Sequence, residues 1–181
     1  MKVGIIGSGG REHAICQALY NTKRIDRIYC FPGNAGTLKI SQNVSLNLEN
    51  FNDLKEFVIL NKIDLIIVGP EKPLVDGIVD FLEANNIKVF GPSKLASQLE
   101  GSKIFTKNLC EKHNIPTAKF GIFQNINDAT QFAKKTDYPL VIKADGLASG
   151  KGVYICGDIK EAELAINEIF EGKFGEAKNL L

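Results

Sequence analysis

Residues 2–13 read Lys2-Val3-Gly4-Ile5-Ile6-Gly7-Ser8-Gly9-Gly10-Arg11-Glu12-His13. A short β-branched run enters a glycine turn and continues into a helical pattern, the opening of a β-α unit. The pattern repeats outward from there. Arg27–Phe31, Leu65–Val68 and Lys88–Phe90 read as further strands, and Glu12–Tyr20, Asn52–Leu60 and Leu74–Asn85 carry apolar residues at helical spacing. Gly7, Pro32, Gly69-Pro70 and Gly91-Pro92 punctuate the strand ends. Alternation of this kind predicts an α/β fold with an open parallel sheet, whose ligand loops lie at the carboxyl ends of the strands.

After Ser93 the pattern turns helical to Asn114, and Ile115-Pro116-Thr117 breaks it, because a residue before proline is pushed toward extended geometry. Beyond lie a predicted strand near Lys119–Phe123, a helix Asp128–Lys135, strands Leu140–Lys143 and Val153–Cys156 around a glycine-rich loop, and a helix Ile159–Phe170. Leu180-Leu181 reads as the start of another strand. The organisation expected is an α/β domain over 1–101, a connecting helix and linker over 102–122, and a small α+β unit over 123–181.

The chain has 181 residues, 44% hydrophobic and 24% charged, which excludes a disordered tail or a coiled coil as its main architecture. Its net charge of +1 gives no global field for nucleic acid or an anionic membrane, so anions must be bound locally. Apolar runs such as Ile63–Gly69 fall far short of the roughly 18 residues of a membrane span. The N-terminus lacks the pattern of a signal peptide, so a cytoplasmic location is expected. Cys16, Cys30, Cys110 and Cys156 form no C-x-x-C pair and read as reduced, mostly buried thiols.

Three loops carry residues suited to chemistry. In the first, Gly9, Gly10, Arg11, Glu12 and His13 stand where helix N-terminal amides can face an anion, with Arg11 a candidate phosphate partner. Glu12 occupies the third-glycine position of a dinucleotide fingerprint, and Cys30-Phe31-Pro32 stands where the ribose-binding acid would close the second strand. Both features argue against a dinucleotide and leave a phosphorylated small molecule or a structural turn. The second loop, Pro32, Gly33, Asn34, Ala35, Gly36 and Thr37, suits either a phosphate-binding nest of amides or a plain turn. Gly69, Pro70, Glu71 and Asp76 supply a third wall, the acids facing hydroxyls or an amine, or simply solvent.

The third loop joins Lys143 to Gly152 through Asp145, Gly146, Ala148, Ser149, Gly150 and Lys151. It is no Walker loop, since Gly152 stands where Ser or Thr is needed and a strand follows instead of a helix. A hairpin of this composition reads as a flexible lid over a triphosphate, or as a surface hairpin. Lys143 ends an apolar strand, where an ammonium needs an anion or acceptors. His13 and His113 have no third partner for a metal site or a Ser-His-Asp triad, and His113 reads as a solvated helix end.

Taken together, GSGGREH, PGNAGT, GPEKPLVDGIVD, EGSKIFTK followed by IPTA, and KADGLASGKGV resemble the phosphoribosylamine-glycine ligase family of the ATP-grasp superfamily. Five motifs stand in register from Met1 to about Gly175. The resemblance implies a Rossmann-like, pre-ATP-grasp N-terminal domain followed by an ATP-grasp lid subdomain. It also implies an enzyme of purine biosynthesis that joins glycine to 5-phosphoribosylamine, with ATP giving ADP and phosphate through a glycyl phosphate. No enzyme nucleophile is then needed, and catalysis falls to positioning and charge neutralisation.

On that resemblance the residues from Gly9 to His13, from Pro32 to Thr37, and Gly69, Pro70, Glu71 and Asp76 form the phosphoribosylamine wall. Lys103 and Lys143 contact nucleotide, and Asp145 with the stretch from Gly146 to Gly152 covers the phosphates, Ser149 replacing a common alanine. The partners implied are the three small molecules, with no nucleic acid or membrane. Magnesium is implied with ligands expected beyond residue 181, since the family's chains continue well past this length; on that ground the polypeptide is expected to lack catalytic competence alone. A non-catalytic phosphosugar- or nucleotide-binding module and another ATP-grasp ligase are the alternative readings.

Overall fold

A computed structural model describes residues 1–147, 152–173 and 179–181. The chain divides into two compact units, Met1–Ser97 and Gln98–Leu181.

Among the described residues of the first unit, β1 (Lys2–Gly7), β2 (Arg27–Pro32), β3 (Gln42–Asn43), β4 (Leu65–Val68) and β5 (Val89–Phe90) form one sheet in the order β3-β2-β1-β4-β5. Every pairing is parallel, and Ile6 stands opposite Phe31 on one side and Val68 on the other. Period-two alternation splits the strands between two cores. Ile6, Tyr29, Phe31, Ile66 and Val68 face Leu54 and Val58 of α2 (Phe51–Asn61), while Val3, Ile5, Ile28 and Cys30 pack with Cys16 of α1 (Gly10–Asn21). Covered on both faces, these strands need unbroken apolar runs, as the sequence has. Gly4 is required by this packing, because a Cβ there would stand 2.6 Å from Ile66 Cδ1 and 2.9 Å from Phe31 Cε2.

Chain order crosses from β3 back past β1 to β4, which puts the topological switch at the carboxyl ends of β1 and β4. The expected open parallel α/β sheet is therefore present, with local corrections. The helix expected over Leu74–Asn85 is two, α3 (Glu71–Asp76) and α4 (Ile78–Ala84), because Gly77 turns left-handed at φ 98°. The continuous helical stretch after Ser93 is likewise two, α5 (Lys94–Gly101) and α6 (Lys103–Lys112), divided at Ser102, which is extended at φ −138° and caps α6 by accepting from the Phe105 amide. The short edge strand β3 and the 3-10 turn Thr37–Lys39 were not expected, since two polar residues carry no period.

In the second unit β6 (Leu140–Lys143) pairs antiparallel with β7 (Val153–Cys156), Lys143 opposite Val153. Helices α7 (Ile126–Ala133) and α8 (Ile159–Phe170) meet through small buried residues, Ala129 and Ala133 against Ala162 and Ala165. Asn125 and Asp158 cap them through side-chain oxygens, an arrangement worth about 1 kcal/mol each. The strand expected over Lys119–Phe123 reduces to one antiparallel bridge between Phe123 and Leu180. Leu180 also bridges Ala144, and Leu181 exchanges backbone hydrogen bonds with Lys143 at 2.7 and 2.9 Å, so this segment runs beside β6 as a strand would.

Candidate functional site

The loops at the carboxyl ends of β1, β2 and β4 are tied together by their own side chains. Gly33 donates its amide to the Gly7 carbonyl, which brings the second loop against the first at its root. Asn34 Nδ2 then donates to Ser8 O at 2.8 Å and Gly9 O at 3.3 Å. The His13 ring lies against Gly36, where a Cβ would collide with the imidazole. From the other side Arg11 donates through Nη1 to the Gly69 carbonyl and through Nη2 to Glu71 at 2.8 Å. Residues predicted from three separate motifs thus meet at the switch point. Gly9, Gly10, Arg11, Pro32, Ala35 and Asp76 are its solvent-exposed members.

Within this cluster several polar groups already have protein partners. Glu12 is 4% exposed, and its carboxylate accepts the Gly9 amide at 2.7 Å, capping α1. A Cβ on Gly7 or Gly69 would collide with that carboxyl, so the side chain fills the seam between the β1 and β4 loops. In the second loop, read from sequence as either a nest of amides or a plain turn, two of the amides are turned onto an asparagine. Asn34 Oδ1 accepts the Gly36 and Thr37 amides at 2.8 and 3.0 Å, and Thr37 Oγ1 accepts the Asn34 amide at 2.8 Å. Buried amides seek the nearest acceptor, and here side chains two and three positions away supply it. Asn43 on β3 secures the turn through the Asn34 carbonyl and Thr37 Oγ1, both at 2.8 Å. Its position in a short polar segment gave no pattern by which to find it.

Charge in the third wall is balanced locally. The Arg11 guanidinium holds the Glu71 carboxyl below its ordinary value, and Lys72 pairs with Asp76 at 2.7 Å. Pro70 stands at the N-cap position of α3 without a side-chain capping bond, which places Glu71 in the first turn, where a negative charge is favoured.

In the second unit Lys103 and Asp145 meet at the N-terminus of α6. Lys103 Nζ donates to the Gly146 carbonyl at 2.9 Å, and the Asp145 carboxylate accepts from Ser102 Oγ at 3.1 Å and the Ile104 amide at 3.2 Å. Ala144 donates its amide to the Gly152 carbonyl, closing the root of the glycine loop. Ala148, Ser149, Gly150 and Lys151 lie outside the described residues. Lys143, half-buried, lines an open cavity of about 1080 Å³ with Lys107, Phe120, Phe123, Phe132 and Leu181. Lys103 and Asp145 are not in that lining. Ser102 was not among the expected site residues; the signal was present as a Ser before a helical run.

The described residues gather no three His, Cys, Asp or Glu side chains able to hold a metal ion, so no step through magnesium is assigned to them. No described helix is long and apolar enough to cross a membrane.

The family model for the phosphoribosylglycinamide synthetase N domain matches residues 1–100, and that for the phosphoribosylglycinamide synthetase ATP-grasp (A) domain matches residues 101–181. The chain belongs to the phosphoribosylglycinamide synthetase family. It is 49% identical over 177 residues to the phosphoribosylamine–glycine ligase of Clostridium acetobutylicum, covering 95% of this chain and 42% of that protein. The ligase of Caldanaerobacter subterraneus subsp. tengcongensis is 48% identical over 182 residues, covering 100% of this chain and 44% of its own length. The crystal structure of the Thermotoga maritima phosphoribosylamine–glycine ligase superposes with a TM-score of 0.78 at 32% identity, over 99% of this chain and 42% of that one. This synthetase-family chain therefore spans less than half the length of the curated relatives it matches.

Proposed function

We propose that this chain forms the phosphosugar-binding unit and part of the ATP-binding unit of a ligase that joins glycine to 5-phosphoribosylamine in purine biosynthesis, in the cytoplasm. The observation that carries the reading is the convergence of the Gly9–His13, Pro32–Thr37 and Gly69–Asp76 segments at the switch point of the sheet, tied by Asn34 and Arg11. Ligands of open α/β sheets bind at such a crevice. Arg11 is the group suited to a sugar phosphate, since its planar fork matches phosphate oxygens. Glu71 and Asp76 suit ribose hydroxyls as acceptors.

In the second unit Lys103 and Lys143 neutralise nucleotide phosphate charge, and the stretch from Gly146 to Gly152 covers it. The glycine carboxylate oxygen attacks the terminal phosphorus of ATP and ADP leaves. The sugar amine then attacks the carbonyl carbon of glycyl phosphate, phosphate leaves with the C–O electron pair, and the amine gives up a proton. Such a sequence asks the protein for positioned reactants and fixed positive charge, and for no covalent partner.

Titration calorimetry with ribose 5-phosphate, which keeps the phosphate and ribose of the substrate, tests the assignment. The wild-type chain is expected to bind it, and Arg11→Ala to weaken binding by roughly tenfold or more, the worth of a charge-assisted hydrogen-bond pair. Absence of binding by the wild-type chain overturns the reading.

A further inference from the structure

We propose that Asp145 is a positioning residue that clamps the root of the glycine loop to the N-terminus of α6 and thereby sets the Lys103 ammonium, without itself touching nucleotide. The geometry is reciprocal. Two consecutive residues of the loop root hold three consecutive residues of the helix start, 41 to 43 positions away in sequence. The Asp145 carboxylate takes Ser102 Oγ with both oxygens at 3.1 Å and the Ile104 amide at 3.2 Å, gripping the residues on either side of Lys103. Lys103 reaches back to the neighbouring Gly146 carbonyl at 2.9 Å.

Two further contacts fix the carboxylate in place. The Asp145 amide donates to the Asn179 carbonyl at 3.1 Å, and Ser102 Oγ accepts the Phe105 amide at 3.0 Å while donating to Asp145. Ser102 and Asp145 together therefore satisfy amides of the first turn of α6, which a helix leaves without internal partners. Negative charge is favoured at that helix end, so the carboxylate is held there as a capping group. An acid so engaged would have to surrender these bonds to reach a phosphate-bound cation. Lys103 retains the opposite character: an ammonium carries three donors, and the Gly146 carbonyl takes one of them. Its position follows from the clamp, because the helix residues flanking it and the carbonyl that orients its head all belong to it.

The link to nucleotide rests on reading this loop as the phosphate cover. The experiment separates the two. Asp145→Ala, Asp145→Asn and Ser102→Ala are made in the full chain and compared by amide hydrogen exchange and by calorimetric titration with ATP. Asp145→Ala is expected to speed exchange at Ile104 by about tenfold or more, the loss of one charge-assisted bond, while β1, β2 and β4 keep wild-type protection. ATP affinity falls with it. Asp145→Asn restores an acceptor for the Ile104 amide and a donor for Ser102 Oγ, and is expected to recover most of both. Ser102→Ala, whose side chain is no loop residue, reproduces part of the loss and serves if Asp145→Ala fails to fold. If Asn is as damaging as Ala for ATP while Ile104 exchange is normal, the carboxylate acts by charge on the ligand and the proposal is overturned. Unchanged Ile104 exchange in Asp145→Ala overturns it as well. A wild-type chain that does not bind ATP defeats the nucleotide reading, and the exchange comparison still decides the clamp.

Discussion

Arg11 Nη2 stands 2.8 Å from the Glu71 carboxylate, joining the first turn of α1 to the first turn of α3 across 60 positions of sequence. The same guanidinium bonds the Gly69 carbonyl, so one side chain ties the β1 and β4 loops together at the switch point of the sheet. Both partners are substantially exposed, which limits the pair to under about 1 kcal/mol of stability.

The pH dependence of that pair has a definite sign. Glu71 is lowered from 4.5 by the Arg11 hydrogen bond, so its contribution is fully present above the unfolded value and is lost as pH falls through the folded one. Urea titrations of wild type and Glu71→Gln are expected to differ by a constant small amount above about pH 5 and to converge in more acidic solution. A gap that widens on acidification contradicts this.

Removing the Glu12 carboxylate exposes a different cost. Glu12→Ala leaves the Gly9 amide without its acceptor and opens the seam beside Gly7 and Gly69. A loss of about 1–3 kcal/mol is expected in urea denaturation, as for other buried groups deprived of a partner. A neutral effect would mean that water replaces the carboxylate.

Gly4→Ala tests the sheet itself. The added methyl meets Ile66 Cδ1 and the Phe31 ring, both fully buried, so neither has space to retreat into. Destabilisation of about 1–3 kcal/mol is expected, the usual cost of overpacking. Melting temperature and far-UV dichroism together report it: the melting point falls while the spectrum is retained.

Thiol reactivity should follow burial. Cys16 and Cys30 are fully buried with their sulfurs 3.9 Å apart, and burial pushes the Cys16 thiol up to about 11. Cys156 is also buried and raised, whereas Cys110 is only half-buried. Alkylation at pH 8 followed by mass spectrometry is expected to label Cys110 first and the other three only in denaturant. Early labelling of Cys16 would contradict the packing of α1 on β2.

The shape of the second loop rests largely on one side chain, which Thr37 and Asn43 support. Asn34→Ala removes the acceptor of two amides and the link to Ser8 and Gly9. Ribose 5-phosphate affinity is expected to fall at least severalfold as the loop loses its shape, with a stability loss of about 1–3 kcal/mol. Calorimetry and thermal melting on the same variant check both.

Much of this was legible before the fold was known. Apart from the short edge strand β3, the strands of the first unit, the glycine loops after them and the parallel sheet follow from alternation, β-branched runs and turn residues, all of which act over a few positions. The break at Gly77 was not legible, because a glycine inside an apolar helical pattern reads equally as a helix residue until its left-handed backbone is seen. The seam filled by Glu12 was hidden for a similar reason. A Glu three residues after a glycine turn reads both as a cap and as a ligand contact.

The sequence by itself determined that glycine-rich loops would stand at the carboxyl ends of the strands and which residue types they would carry. Tertiary structure decided which of those groups are already engaged. Glu12, Asn34 and Asp145 each carry oxygens that serve a substrate or a backbone amide equally well, and the choice belongs to whichever partner folding brings within hydrogen-bond reach. For Arg11 and Asp145 that partner lies 41 to 60 residues away along the chain, beyond anything local spacing encodes.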